Sequence, residues 1–203
     1  MKYLLLCILT VLFLFAKSDF KYDTQEEVVT YKEPIKETYR SPIQDVIDNA
    51  KEGSIIKLKA GVYEGNIVIT KPISIIGAEE GVVIDGKGVG SVITIKSSYV
   101  TLQNLVIQNS GDRSDVLDAA INMEGSATTG VLVQNEVSHC KILDSLLGIN
   151  MELVNASLIK NNYITSKNYE LGLRGDGLRL WYSNDNIIQK NHLYRSRDMV
   201  VWF

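Results

Sequence analysis

A chain of 203 residues, 45% hydrophobic and 22% charged, has the composition of one globular domain and not of a disordered or collagen-like polymer. Its formal charge is −3. Binding to phosphate backbones needs a concentrated positive surface, so a nucleic-acid partner is disfavoured.

The chain opens with Lys2, an unbroken, mostly apolar run over residues 3–16, and then Lys17, Ser18 and Asp19. That run is too short to cross a bilayer core of about 30 Å comfortably. Ala16 and Ser18 put small residues at the spacing used by signal peptidases. Residues 1–18 are therefore expected to be a cleaved export signal, which carries the body out of the cytoplasm. Loss of Lys2 and Lys17 takes the charge from −3 to −5. Cys7 leaves with the signal, so Cys140 remains alone and no internal disulfide can form. Residues 19–40 are polar and aperiodic, as in a surface arm, and the domain is expected over residues 41–203.

The domain begins with helix signals. Ser41 suits an N-cap, Pro42 the first helical position, Gln44 a capping box, and Gly53 a stop. Ile43, Val46, Ile47 and Ala50 share a face, so the helix is expected to cover an apolar end. Alternation then replaces helical periodicity in runs too short for helices: Ile56 and Leu58, Ile67 and Ile69, Ile73 and Ile75. Val82 with Ile84, Ile93 with Ile95, and Leu102, Leu105 and Ile107 continue the pattern, each apolar pair recurring after about 26 residues. Short strands at such a period predict a solenoid, in which a single repeat cannot bury its own apolar face.

One rung position recurs as apolar, small or amide, apolar: Leu102, Leu105, Ile107; Val137, Cys140, Ile142; Ile159, Asn162, Ile164; Ile188, Asn191, Leu193. A second is traced through Ile56, Val82, Ile121, Ile149, Leu178 and Met199. Six visits predict a stack roughly 29 Å tall at about 4.8 Å per strand. Residues 111–118 and 166–175 break the period and are expected to be loop insertions. The fold predicted is all-β: a right-handed, single-stranded parallel β-helix with an N-terminal capping helix. Asn162 and Asn191 are expected to form an inward amide ladder, with Cys140 as a buried thiol in the same slot.

The segments GDGLRLWYSND at residues 175–185 and SRDMVVWF at residues 196–203 give the chain a specific likeness. It resembles the NosD family of nitrous oxide reductase maturation proteins, within the wider pectin-lyase-like β-helices. The likeness spans most of the exported chain and is strongest beyond residue 160. It implies a periplasmic, non-enzymatic accessory role in assembling the copper centres of nitrous oxide reductase. The implied partners are the reductase and the permease and ATPase of an ABC transporter, so that the membrane is met only through a partner. It also implies further coils, so the chain is expected to be an N-terminal portion or an interrupted product.

Copper favours thiolate, thioether and imidazole ligands. His139 and Cys140 are the candidates, for transient binding at most. Met123, Met151 and Met199 are expected in inward slots beside Ile121, Ile149 and Val201, where a thioether fills the core. His139 and His192 are placed on one solvent-facing series two coils apart, about 10 Å and too far for a shared ion. Aligning LWY at residues 180–182 with VWF at residues 201–203 predicts Trp181 and Trp202 stacked outside, rimmed by Asp176, Arg179, Arg197 and Asp198, as a partner-binding edge. No catalytic residue is assigned. The alternative is a polysaccharide-binding or polysaccharide-cleaving β-helix, for which Asp176, Asp185 and Asp198 with Arg174, Arg179, Arg195 and Arg197 supply the carboxylates and bases.

Overall fold

In the computed structural model, residues 28–31 and 42–203 are described. The export signal and most of the polar arm lie outside them. Within the arm, Val28–Tyr31 departs from the aperiodic reading: it is a strand, paired in parallel with Ile55–Leu58.

Six coils follow, each contributing one strand to each of three parallel sheets. The first sheet stacks Ile55–Leu58, Ser74–Gly77, Thr101–Gln103, Glu136–Ser138, Leu158–Lys160 and Ile187–Gln189 above Val28–Tyr31. The second holds Gly61–Glu64, Val82–Asp85, Val106–Gln108, Lys141–Ser145, Tyr163–Ser166 and His192–Tyr194. The third holds Ile67–Ile69, Ile93–Ile95, Ala119–Glu124, Leu147–Glu152, Leu178–Trp181 and Val200–Trp202. The architecture is the predicted right-handed parallel β-helix.

Alternation along each strand sends one side chain inward, and parallel pairing places like upon like. In the first sheet Ile56, Ile75, Leu102, Val137, Ile159 and Ile188 form a column. In the third, Ile67, Ile93, Ile121, Ile149, Leu178 and Val200 do so, beside Ile69, Ile95, Met123, Met151, Leu180 and Trp202. Most of these side chains are fully buried. Each is worth about 1.5–3 kcal/mol relative to exposure, so the columns, not any single coil, hold the fold.

The helix Pro42–Asn49 buries Ile43 and Ile47 against the first coil, with Val46 and Ala50 on the same face. Ser41, and with it the predicted N-cap and capping box, lies outside the described residues; Gln44 reaches the third sheet, where its Oε1 accepts from the Val68 N–H at 2.7 Å and its Nε2 donates to Val68 O at 3.0 Å. The helix thus satisfies the backbone of the lowest edge strand, an edge that is otherwise open to pairing.

The rung from Leu102 to Leu193 has the predicted register throughout. Its constant spacing reflects a tight turn between first and second sheets, where Asn104, His139, Asn161 and Lys190 all take left-handed conformations with φ between 55° and 56°. Asn tolerates that region best. The next residue returns inward: Leu105, Cys140, Asn162, then Asn191.

Three registers differ from expectation. Ile56 pairs with Ile75, and Val82 with Gly61, so the third sheet begins with Ile67 and Ile93. The intervening strand Gly61–Glu64, with Tyr63 buried, lacks the alternating aliphatic signal. In the last coil Leu178 pairs with Val200 and Leu180 with Trp202, one residue away from the predicted alignment. Because side chains alternate, that single step exchanges faces. Met199 accordingly lies 48% exposed and does not pack in the core. Trp202 occupies an inward column and Trp181 an outward one, so the predicted Trp181–Trp202 stack does not form.

Candidate functional site

Both predicted insertions leave the second sheet and enter the third, one in the third coil over residues 109–118 and one in the fifth over residues 167–177. The fourth coil between them turns directly from Lys141–Ser145 to Leu147–Glu152. Two walls therefore rise over a short floor, enclosing a groove of about 570 Å3. Leu146 and Leu147 make the floor. Asp112 and Leu117 line one wall; Tyr169, Leu173 and Arg174 line the other; Asp176, Arg179 and Arg197 close the side facing the later coils.

Each wall has its own fastening. In the first, Asp118 accepts from the Arg113 N–H at 3.0 Å, and its own N–H donates to Arg113 O. In the second, a short 3-10 turn, Leu171–Leu173, is held by Arg174, whose Nε donates to Tyr169 O at 2.6 Å. The Tyr169 hydroxyl then crosses to Asp112 Oδ2 at 3.2 Å and ties the walls together. Burial, followed by the neighbouring Asp112, holds the Tyr169 phenol above its ordinary pKa, so it stays a donor. Gly175 brings the chain back from the loop: a Cβ there would sit 2.3 Å from Leu146 O.

The charged residues are positioned in pairs and chains. Asp176 is buried, and Arg197 Nη2 donates to it at 2.9 Å. Arg197 Nε also lies 3.4 Å from the exposed Asp198. Arg179 continues a side-chain ladder on the outer face of the third sheet: its Nη1 donates to Asn150 Oδ1 at 2.9 Å, and Asn150 Nδ2 donates to Asn122 Oδ1 at 2.8 Å. Asn150 is 1% exposed although it faces outward, so this ladder is a buried polar structure that fixes the guanidinium.

Of the predicted docking set, the structure brings Asp176, Arg179 and Arg197 into the groove and places Asp198 at its rim. Trp181 lies beyond them, beneath Arg179 at 5.1 Å from ring centroid to guanidinium carbon, and tilted against Phe203. Trp202 is 69% exposed at the last coil, where its Nε1 donates to Ser183 O. Of the carboxylates and bases assembled for polysaccharide chemistry, Asp176, Arg174, Arg179 and Arg197 line the groove; Asp185 and Arg195 do not. The groove residues missed in the sequence include Asp112, Leu117, Leu146, Leu147, Tyr169 and Leu173. The available signal was that both insertions follow the same strand column.

The ladder residues lie at the inner turn. Asn162 Oδ1 accepts from the Cys140 N–H at 2.9 Å, and Asn162 Nδ2 donates to Asn191 Oδ1 at 3.0 Å. A parallel ladder through Asn135, Ser157 and Asn186 satisfies the adjoining turn. Burial pushes the Cys140 thiol up to about 12. His139, its neighbour, is exposed in a left-handed turn with Nε2 3.2 Å from Asn161 Nδ2. The two side chains therefore point to opposite sides of the wall and do not fit a shared copper site. His192 is not in His139's column: it heads the strand His192–Tyr194 and stacks on Tyr163 at 5.1 Å. Among the described residues no three His, Cys, Asp or Glu side chains gather closely enough to hold a metal ion.

The chain is 30% identical over 144 residues to "Probable ABC transporter binding protein NosD" of Pseudomonas aeruginosa. The match takes in 70% of this chain but 32% of that protein, so the chain spans about a third of the length of this relative. Among solved structures, two pectin methylesterase complexes with hexasaccharides align with 88% of the chain and 67% of theirs, at TM-scores of 0.47 and 0.45 and identities of 19% and 18%. The family described as "Right handed beta helix region" matches residues 81–202, more than half of the chain and all of the groove, and the chain therefore belongs to the right-handed β-helix family.

Proposed function

We propose that this chain is a β-helix segment of a periplasmic accessory protein that supports copper-centre assembly in nitrous oxide reductase by docking the permease and ATPase of an ABC transporter. The observation that carries the proposal is the walled groove, a preformed concave surface with a leucine floor and an arginine rim, in a chain whose relative is named as a transporter-binding protein. Apolar floors with charged rims are the usual anatomy of protein docking sites. A non-enzymatic role is supported by the engagement of the two aspartates lining the groove, Asp176 by Arg197 and Asp112 by Tyr169. Copper in this reading is cargo of the assembly, not a resident group of the coil.

The test is genetic and chemical together. Deleting the gene in its own organism is expected to leave nitrous oxide reductase exported but copper-deficient, with activity restored by the wild-type gene. Full copper occupancy in the deletion strain would defeat the proposal. A polysaccharide-binding role is the second reading, favoured by the aromatic surfaces of Tyr169 and Trp181 at and beside the groove. It requires saturable binding of an acidic oligosaccharide.

A further inference from the structure

We infer that the groove recognises an acidic peptide segment, in which carboxylate side chains meet Arg174 and Arg179 while an aliphatic neighbour enters the leucine floor. The inference rests on the docking reading and specifies the chemistry of what docks.

Three features support it. The first is charge. Asp176 and the rim residue Asp198 both meet Arg197 and Asp112 meets Tyr169, whereas Arg174 and Arg179 make no ion pair among the described residues, in a chain of net −3. Arg197 is spent on Asp176. Arg179 gives one nitrogen to Asn150 and Arg174 one to Tyr169 O, whereas a guanidinium has five N–H donors in a rigid fork. Each arginine is thus anchored by one nitrogen with further donors left to meet a carboxylate bidentately. Anchoring through a buried asparagine means that little side-chain freedom is lost on binding.

The second feature is the floor. Leu146 and Leu147 are 5% exposed, with Leu117 and Leu173 on the walls. Branched aliphatic side chains complement Leu, Ile or Val. Sugar rings instead favour broad aromatic faces, of which the groove lining has Tyr169 alone.

The third is shape. The walls rise from coils two apart with the loopless fourth coil between them, so the leucines and arginines of the groove line one elongated concavity. The Tyr169–Asp112 hydrogen bond ties the two walls, so the concavity keeps its shape before a ligand arrives.

A phage-displayed random-peptide library selected on the full chain supplies the probe. Enriched sequences are expected to place Asp or Glu next to Leu, Ile or Val. The best peptide should lose at least about ten-fold in affinity when its acids become amides, and also on Arg179→Gln or Arg174→Gln. Circular dichroism melts of both variants establish that they fold. Trigalacturonate is the competing probe. Enrichment of neutral or basic peptides, no enrichment, indifference to the two arginines, or displacement by trigalacturonate would each overturn the inference. Co-purification with the transporter is unaffected by these outcomes, so failure here leaves the docking reading to its own measurement.

Discussion

The side chain of Asn162 donates to Asn191 Oδ1 in the next coil at 3.0 Å, and its own Oδ1 accepts from the Cys140 N–H in the coil before. One buried amide therefore links three consecutive coils. Replacing it by alanine leaves the Cys140 N–H without its acceptor, at about 1–3 kcal/mol for an orphaned buried group, plus the lost bond to Val137 O. Asn162→Ala is predicted to lower unfolding free energy by about 3 kcal/mol in urea titrations. A loss below about 0.5 kcal/mol would show that the ladder is decorative.

Cys140 offers a second check. Burial holds its pKa near 12, so the thiolate fraction at pH 8 is minute and access is blocked. In the folded chain Cys140 is predicted to resist an aromatic disulfide reagent and to react fully in guanidinium, with peptide mapping assigning the label. Rapid labelling of Cys140 in the native state would contradict its place in the core.

These two residues also show what the sequence made legible. From Leu102 onward, every coil spends the same number of residues between its first two inward positions, because the turn is one left-handed residue. The spacing of Val137, Cys140 and Ile142 therefore exposes the register directly. Before Leu102 the strands are equally aliphatic but the loops differ in length, and Ile56 has equally plausible partners in Ile75 and Val82. At the other end, Met199, Val200 and Val201 are all apolar, so hydrophobicity marks no face and a one-residue error costs nothing in pattern while exchanging the roles of Trp181 and Trp202. The groove was half legible. Its walls appeared as breaks in the repeat, but Leu146 and Leu147 read as core residues and are nearly buried; only the loopless fourth coil sets them beneath the groove.

The corrected register yields its own prediction. Trp181 packs against Phe203 and under Arg179, whereas Trp202 is largely exposed. Trp181→Ala should cost about 1–2 kcal/mol of stability, with aromatic and cation contacts both lost, and Trp202→Ala less than about 1 kcal/mol. The opposite ranking by thermal melts would contradict the packing of Trp181 on Phe203 and Arg179.

Asp85 governs part of the acid stability. Burial by itself would raise its pKa, but hydrogen bonds from Gln108, Asn109 and the Lys87 N–H outweigh it and bring the value below the usual one of 3.8. A carboxylate with a depressed folded pKa stabilises the fold above its unfolded pKa, about 3.9, and that contribution disappears as pH falls through the lower folded value. Asp85→Asn should therefore be less stable at pH 6 and show a shallower loss of stability between about pH 4 and 2. Parallel acid limbs for the two proteins would contradict this.

The groove as docking surface is the claim on which the functional account depends, and one titration tests it most directly. The full chain is titrated against the detergent-solubilised permease–ATPase complex, alongside a groove variant, Leu173→Glu with Arg174→Glu, and a control at the starts of two second-sheet strands, the ends away from the groove, Lys141→Glu with Tyr163→Ala. Leu173, Lys141 and Tyr163 are exposed and Arg174 is half-buried in a surface loop, so the β-helix is expected to survive, which circular dichroism melts of both variants check. The account predicts at least about ten-fold weaker binding for the groove variant and a change within about two-fold for the control. Equal affinity of the groove variant and the unaltered chain, or loss confined to the control, would contradict it.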